Sequence, residues 1–332
     1  MSKLLDIIIP HHNEPWEICR KFFDMLKLQL CADRSEIRVM MVHDGSDFFP
    51  DELLEVPGIR IEQHRIAESG VSAARNFGLE ISDAKWVMFC DCDDMFATVW
   101  ALHCILDALE GPEAEKNDLV WAPFYCEENA GRNVIGQNWV FIHGKIYRRE
   151  FLNREGIRFS PELYYAEDSA FNATVEMAID KSRIGEIKCD STLYVWVYNR
   201  QSVTSRPENR LRNVLGLFDR HVIVAEEFKR RGDLAGFRGL AARATWDGFY
   251  QCHRADASEA QREQIRDKVA RYYMRYAEEI DSIDDEWMEV VRKASRREAL
   301  GKGLPDVPAA LFPEWIKGIK EEYGGGAVVQ AG

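Results

Sequence analysis

The segment KWVMFCDCDD, residues 85–94, is a nearly continuous apolar run that ends in three carboxylates. Such a run, without regular alternation of polar residues, is typical of a short β-strand that is buried on both faces. Asp91, Asp93 and Asp94 follow at the point where the strand would end. Ligands of open α/β sheets bind at the carboxyl ends of the strands. The segment therefore predicts a buried strand with a ligand site at its end.

The same pattern recurs towards the N-terminus. Three further runs are typical of strands: LLDIIIP (residues 4–10), IRVMMVHDGS (37–46) and GIRIEQH (58–64). Three stretches have the apolar spacing of helices: EPWEICRKFFDMLKLQL (14–30), SGVSAARNFGLEIS (69–82) and TVWALHCILDALE (98–110). Strands that alternate with helices predict an α/β fold, with a mostly parallel sheet flanked by helices. We expect Pro10 to end the first strand.

The pattern changes in the second half of the chain. Aromatic-rich segments from residue 119 onward are expected to extend the sheet and to shape a pocket. Residues 205–320 are helical in pattern and charged, and predict a C-terminal helical appendage, with a disordered tail at 321–332. Within the appendage, PEWIKGIKEEYG (313–324) fits either a surface-docking helix or an ordinary amphipathic packing helix.

Composition limits the classes of function. Hydrophobic residues make up 46% of the 332 residues and charged residues 30%, as in globular proteins. The formal net charge of -13 argues against nucleic acid as the main partner. No signal sequence precedes the first apolar run, so the 8 cysteines are expected to be free thiols in a reducing cytoplasm. Cys90 and Cys92 could form half of a zinc site, but buried thiols are the better interpretation because no matching pair follows.

The three acids at residues 91–94 allow two interpretations. Clustered carboxylates raise one another's pKa unless a cation lies among them, and hard oxygen ligands favour Mg²⁺ or Mn²⁺. Because Mg²⁺ fills its coordination shell with water and substrate phosphates, such a site predicts a phosphorylated substrate. Alternatively, the turn is only polar and Asp94 caps the next helix. This stretch alone does not decide between them.

Seven motifs in order add a family resemblance: DIIIPHHNE (6–14), VMMVHDGSD (39–47), ESGVSAARNFGLEIS (68–82), VMFCDCDD (87–94), GKIYRREFL (144–152), YYAEDSAFN (164–172) and YVWVYNRQSVTS (194–205). Together they resemble the family 2 glycosyltransferases of the GT-A fold. The resemblance implies a catalytic domain at residues 1–204, with a nucleotide-sugar-binding half at 1–100 and an acceptor half at 101–204. It also implies inverting sugar transfer from a nucleotide-sugar, usually a UDP-sugar, to a glycan or glycolipid hydroxyl.

The resemblance implies roles for residues on the donor side. Asp93 fits the metal-holding position for Mn²⁺ or Mg²⁺, and Asp91 fits the position that holds the ribose or the metal shell. Asp44 fits the acid that bonds the nucleobase, and His12 stands where a stacking tyrosine is usual. Arg75 either faces the nucleotide or pairs with an acid. The complete donor set that the resemblance implies is Pro10, His12, Asn13, Glu14, Asp44, Ser46, Arg75, Asp91, Cys92, Asp93 and Arg200.

The acceptor half supplies the predicted catalytic base. Asp168, in the Glu-Asp motif, fits the carboxylate that takes the proton of the acceptor hydroxyl. The competing interpretation is a first-turn acidic pair favoured by the helix dipole. Trp139 and His143 could line the acceptor side, although core packing is favoured for Trp139. Arg200, Ser202 and Thr204 match a loop that closes over the diphosphate in this family, or form a solvated turn.

Other classes stay open at this point. A metal-dependent phosphohydrolase of the haloacid-dehalogenase type would carry its paired acids on the first strand, which here ends in PHHNE (residues 10–14). A nucleotidyltransferase would need a glycine-rich basic loop after that strand, and none is present. A catalytically inactive nucleotide-sugar-binding scaffold is the non-enzymatic alternative. The helical appendage could contact a membrane surface or a second copy of the chain.

Overall fold

The computed structural model describes residues 3–31, 33–128, 131–189, 192–199 and 206–324. The chain forms two compact units, an α/β unit within residues 1–205 and a helical unit within residues 206–332. In the α/β unit the strands are β1 (Leu5–His11), β2 (Ile37–Asp44), β3 (Arg60–Ile66), β4 (Trp86–Phe89), β5 (Met95–Phe96), β6 (Leu119–Trp121), β7 (Phe124–Glu128), β8 (Gly131–Ile135), β9 (Lys145–Arg148), β10 (Ile184–Glu186) and β11 (Tyr194–Trp196). Its helices are α1 (Trp16–Lys27), α2 (Val71–Ile81), α3 (Ala101–Glu110), α4 (Arg149–Arg154) and α5 (Glu167–Ala178).

The strands form two sheets within the described residues. The larger sheet has the strand order β10-β6-β9-β4-β1-β2-β3, and the smaller has the order β5-β11-β7-β8. In the larger sheet only β9 runs antiparallel to its two neighbours, β4 and β6. The aromatic-rich second half thus extends the main sheet through β6, β9 and β10 and also builds the second sheet. The predicted α/β class with a mostly parallel sheet is confirmed.

The first strand does not end at Pro10, contrary to the prediction. β1 continues to His11, with Pro10 opposite Val42 of β2. On its other side β1 pairs with β4 only as far as Ile8, opposite Phe89. The carbonyl of Ile8 accepts from the amide of Cys90, so Pro10, two residues later, points its nitrogen to the same side, beyond the end of β4. The missing N–H therefore interrupts no ladder bond.

Helix α2 lies unusually close to the sheet. A Cβ atom added to Gly78 would lie 2.5 Å from Cγ2 of Ile8, a distance that side chains do not adopt. Only glycine therefore allows α2 to approach β1 this closely. Ile8, Leu79 and Phe89 are almost completely buried in the same cluster. Each such side chain contributes about 1.5–3 kcal/mol of burial free energy.

The helical unit consists of α6 (Arg210–Arg230), α7 (Leu234–Cys252), α8 (Glu259–Arg275), α9 (Ala277–Asp281), α10 (Asp285–Gly301) and α11 (Phe312–Tyr323). It has its own core, in which Phe237, Phe249 and Tyr273 are buried. No helix in the described part of either unit is long and apolar enough to cross a bilayer.

The C-terminal helix shows that part of the predicted tail is ordered. α11 continues to Tyr323, so residues 321–323 are helical, whereas 325–332 lie outside the described residues. Ile316 and Ile319 of α11 are buried, and the Tyr323 hydroxyl donates to Asp267 of α8 at 3.0 Å. These contacts hold the last turn, and they match the packing-helix interpretation of this segment.

Candidate active site

One carboxylate of the acidic turn after β4, that of Asp94, stabilises the tertiary structure. Asp94 is completely buried and accepts from the Tyr194 hydroxyl and the Val197 amide, both at 2.8 Å. It therefore ties the end of β11 to the turn. It does not cap the next helix, because α3 begins at Ala101 with Trp100 as its N-cap. Burial, and then the neighbouring Asp91, raise the pKa of Asp94 well above its usual range.

The other two acids of the turn differ in their surroundings. Asp91 accepts from Arg75 at 2.8 Å, and although burial acts in the opposite direction, this guanidinium lowers the pKa of Asp91. Asp93 accepts from the Asn199 side chain at 3.1 Å, and burial followed by Asp91 raises its pKa. The three carboxylates of this turn thus lie in three different environments.

The thiols within this turn face the core. Cys92 is 4% exposed, and a hydrogen bond with Cys19, then burial, raise the pKa of its thiol well above the usual range. Burial does the same to Cys90. Protonated thiols are poor metal ligands, so the structure favours buried thiols over half a zinc site. The Cys92 side chain packs in the core, and its donor role stays a prediction.

Arg75 connects the acidic turn with the start of α5. Its guanidinium is 3% exposed and donates to Glu167 and to Asp91, each at 2.8 Å. The ring of Phe159 lies 5.2 Å below it. Of the two roles considered for Arg75, the structure shows the pairing with acids, while a contact with the nucleotide stays a prediction. The predicted base and the donor-side acids are thereby brought to one site.

The predicted base lies in the first turn of α5. Asp168 is partly exposed, and its Oδ1 accepts from the Ser169 amide at 2.7 Å. Burial, and then the adjacent Glu167, raise the pKa of Asp168 to about 7. A carboxylate with this pKa accepts a proton efficiently near neutral pH. Ala166, just before α5, has a left-handed φ of 61°, which is strained for a residue with a Cβ atom and is a feature of functional sites.

The residues predicted to contact the nucleobase lie at the ends of β1 and β2. The ring Nδ1 of His12 lies 2.7 Å from the backbone oxygen of Asp44. Both carboxylate oxygens of Asp44 accept backbone amides, from Ser69 at 2.6 Å and from Gly70 at 2.9 Å. Asp44 therefore anchors the loop before α2, while the His12 side chain remains 46% exposed and can present its ring to a base.

The rest of the first predicted motif is brought to the same place. The Asn13 amide donates to the Ser46 hydroxyl at 3.2 Å, and this hydroxyl donates to the His11 carbonyl at 3.2 Å. Glu14 accepts from the His12 amide at 2.7 Å. Pro10 is buried one residue before this turn. The structure thus brings these predicted donor residues together after β1 and β2, and their contacts with a donor stay predictions.

His43, which directly precedes Asp44, belongs to the core. It is completely buried, its Nδ1 lies 2.9 Å from Nδ1 of His11, and its Nε2 lies 3.0 Å from Oε1 of Gln63. Burial, and then His11, lower the pKa of His43 to about 4. A neutral buried imidazole with two partners does not replace an exposed carboxylate at the ligand.

His143 lies at the acids. Its side chain is 4% exposed, with Nδ1 3.7 Å from Asp94 and Nε2 4.0 Å from Asp91. Burial lowers its pKa to about 4. Trp139 is partly buried against the core, as favoured from the sequence, and Lys181 lies 4.6 Å over its ring. Sequence reasoning placed Glu167 only in a first-turn acidic pair and assigned no role to Tyr194 or Asn199, since only tertiary contacts reveal their partners. Arg200, Ser202 and Thr204 lie outside the described residues.

Comparisons with known proteins bear on the family and the fold of this chain. Residues 6–161 match the family model described as glycosyl transferase family 2. This part of the chain, slightly less than half of it, is similar to the family 2 glycosyltransferases. The chain is 25% identical over 233 residues to the uncharacterized glycosyltransferase EpsJ of Bacillus subtilis (strain 168), an alignment that covers 62% of this chain and 64% of the relative. The chain thus spans less than two thirds of the length of that relative.

Two solved structures have a fold similar to that of this chain. The crystal structure of S. aureus TarS 1–349 in complex with UDP matches with a TM-score of 0.63 at 16% identity, over 99% of this chain and 93% of that chain. The complex of the same fragment with UDP-GlcNAc matches with a TM-score of 0.54 at 16% identity and with the same coverage of both chains. At this identity the likeness shows the fold alone.

Proposed function

We propose that this glycosyltransferase moves a sugar from a UDP-sugar, with inversion, to a hydroxyl group of a glycan or glycolipid, and that it depends on Mn²⁺ or Mg²⁺. The observation that carries the proposal is Arg75, whose two nitrogens hold Asp91 and Glu167 at 2.8 Å each. Because Glu167 directly precedes Asp168, this bridge brings Asp168 close to the acids that are predicted to bind the donor. The pKa of Asp168 is raised to about 7. The UDP and UDP-GlcNAc complexes of TarS support the choice of donor class.

The donor-side acids have the chemistry that a divalent ion needs. Asp91 and Asp93 would hold the ion, which when bound supplies positive charge against the leaving diphosphate. The raised pKa of Asp93 fits this role, because a carboxylate buried beside another carboxylate gains from a cation. Asn199 fixes one of its oxygens at 3.1 Å and leaves the other unconstrained by this contact.

The chain's own residues account for the nucleophilic half of the reaction. Inversion requires an acceptor hydroxyl to attack C1 from the side opposite to the leaving diphosphate, and its proton must be removed as the bond forms. Asp168 accepts this proton, and its bond from the Ser169 amide fixes one oxygen. Glu167 is held by Arg75 and is not available as the base.

The metal assignment predicts a specific effect of Asp93→Asn. The variant should weaken UDP binding in Mn²⁺ by about tenfold or more and leave metal-free UDP binding little changed, because charge is lost and shape is kept. Isothermal calorimetry with and without Mn²⁺ measures both affinities. Equal metal-dependent affinity in the variant and in the wild type would remove Asp93 from the metal site.

The pocket of His12 and Asp44 predicts the preferred base. UDP should bind more tightly than GDP or ADP, by about 1–3 kcal/mol, because a base whose edge does not fit the remaining lone pairs of Asp44 loses the hydrogen bond predicted there. Competition against a fluorescent UDP analogue gives the ranking. If GDP competes better than UDP, the pocket has been assigned to the wrong base.

A panel of nucleotide-sugars tests the whole proposal. The full chain is incubated with Mn²⁺ and each donor, and free nucleoside diphosphate is measured against phosphate released from simple phosphate esters. Release of UDP from one or a few UDP-sugars supports the proposal. Phosphate release alone indicates a phosphohydrolase, and nucleotide binding without release indicates the inactive scaffold. The acceptor, the cytoplasmic location and any partner of the helical unit stay predictions.

A further inference from the structure

Two cysteine side chains of the α/β unit meet beside its core. Sγ of Cys104, on α3, lies 2.6 Å from Sγ of Cys189, which follows β10. The S–S bond of a disulfide is about 2.03–2.05 Å long, so the two sulfur atoms lie about 0.6 Å beyond bonding distance. The two cysteines are 85 positions apart in the chain. The fold, and not the local sequence, therefore brings the two thiols together.

The backbone on both sides holds the thiols in this position. Ile105, next to Cys104, and Ile187, two residues before Cys189, are 0% and 3% exposed and belong to the same hydrophobic cluster. The amide of Ile187 also donates to the Trp121 carbonyl at 2.8 Å. Groups that are held in contact react at a high effective concentration. A bond between the two sulfur atoms therefore requires little movement of either segment.

Exposure distinguishes these thiols from another pair in the same unit. Cys104 and Cys189 are both partly exposed, so a small oxidant in solution can reach them. Cys19 and Cys92 also share a hydrogen bond, which raises the pKa of Cys92, but these two residues are 0% and 4% exposed. A buried thiol with a raised pKa is a poor nucleophile. The structure therefore favours Cys104 and Cys189 as the reactive pair.

We propose that Cys104 and Cys189 form a reversible disulfide, for which a small-molecule disulfide such as oxidised glutathione is the oxidant. The thiolate of one cysteine attacks a sulfur of the oxidant, forms a mixed disulfide and releases one reduced thiol. The thiolate of the other cysteine then attacks the protein sulfur of the mixed disulfide and releases the second thiol. The protein gives up two electrons and two protons, which the two released thiols carry away. The proposal requires no sugar transfer, so it stands or falls independently of the proposed function.

The disulfide would join α3 to the connection that leads into β11. Tyr194 of β11 donates its hydroxyl to Asp94 at 2.8 Å, so the connected segment also supports the acidic turn. A bond that closes a loop of this length restricts the unfolded chain and thereby stabilises the folded one. Oxidation should raise the melting temperature of the full chain by about 5 °C or more, and reduction with dithiothreitol should reverse the rise.

The test uses the full chain and oxidised glutathione. After equilibration and denaturation, the number of titratable thiols should fall from eight to six, because one disulfide consumes two thiols. Trypsin should then release residues 86–116 joined to residues 189–200, without attached glutathione. Because residues 86–116 also contain Cys90 and Cys92, fragmentation of the joined peptides must place the bond on Cys104. This readout uses the wild type and does not depend on the folding of any variant.

Variants assign the pair. Cys104→Ser and Cys189→Ser should each abolish the joined peptides and the rise in melting temperature, while their melting under reducing conditions confirms that they are folded. Cys31→Ser, which removes a partly exposed thiol outside the pair, is the matched control and should keep both. A thiol count that stays at eight, a bond formed elsewhere in the chain, or a melting temperature that oxidation does not raise would overturn the proposal.

Discussion

Replacing Asp168 by Asn is expected to lower sugar transfer by about 10²–10⁴-fold, which is the usual contribution of a positioned base. The amide keeps the shape of the side chain and can still accept from the Ser169 amide, which lies 2.7 Å from Oδ1. It cannot take the proton of the acceptor hydroxyl. UDP affinity in Mn²⁺ should stay near that of the wild type, because no hydrogen bond joins Asp168 to the donor-side acids. Turnover and calorimetry on the same preparation measure the two quantities.

The pH profile gives a second readout of the same residue. The base works only when it is deprotonated, so wild-type turnover should rise with pH through about 7, the pKa to which burial and Glu167 raise Asp168. Asp180→Asn is the matched control, since Asp180 is exposed and also accepts a backbone amide, from Ser182 at 2.9 Å. The control should keep both rate and profile. Full turnover in Asp168→Asn would reject the base, and loss of UDP binding would indicate a structural or donor-site role.

Replacing Arg75 by Met is expected to destabilise the α/β unit by about 3–5 kcal/mol, because two carboxylates lose their buried partner. Arg75 is 3% exposed and bridges Asp91 and Glu167. A loss of this size corresponds to a fall in melting temperature on the order of 10 °C for a unit of this length. Differential scanning calorimetry of the full chain measures the change in melting temperature.

Arg20→Met is the control for this change. Arg20 is 67% exposed and pairs with Asp24 at 3.0 Å on the surface of α1. Exposed pairs contribute about 0–1 kcal/mol, so its melting temperature should change little. Similar melting temperatures for the two variants would show that the buried bridge does not stabilise the fold. Arg75→Lys should recover only part of the loss, since an ammonium cannot make the same two-pronged contact.

The sequence was sufficient for the sheet and for the edge at which the site lies. Apolar runs located β1, β2 and β4, and because parallel strands end at one edge of a sheet, the polar residues after them had to meet. The resemblance then supplied Asp168, which lies far along the chain. Periodicity could not place it, since α5 follows the two sheet extensions β6 and β9.

The sequence could not predict which residues form ion pairs and hydrogen bonds with the charged side chains of the site. The pairing of Arg75 with Glu167 joins residues 92 positions apart, and no local pattern encodes it. Asp94 looked like a helix cap because Asp is common there, but the hydroxyl of Tyr194 competes for it from 100 residues away. The prediction that Pro10 ends β1 was wrong for a related reason. A proline interrupts a strand only where a neighbouring strand would accept its missing N–H, and β4 has already ended opposite Pro10.

The close approach of α2 to β1 has a consequence for the chemistry above it. Gly78 lies one helical turn after Arg75, and its missing methyl group lets the helix rest on Ile8. We expect a larger side chain at position 78 to move α2 away from β1 and to shift the Arg75 guanidinium relative to Asp91 and Glu167. Tuning such an enzyme, by selection or by design, can begin at a hydrophobic interface that never meets the substrate.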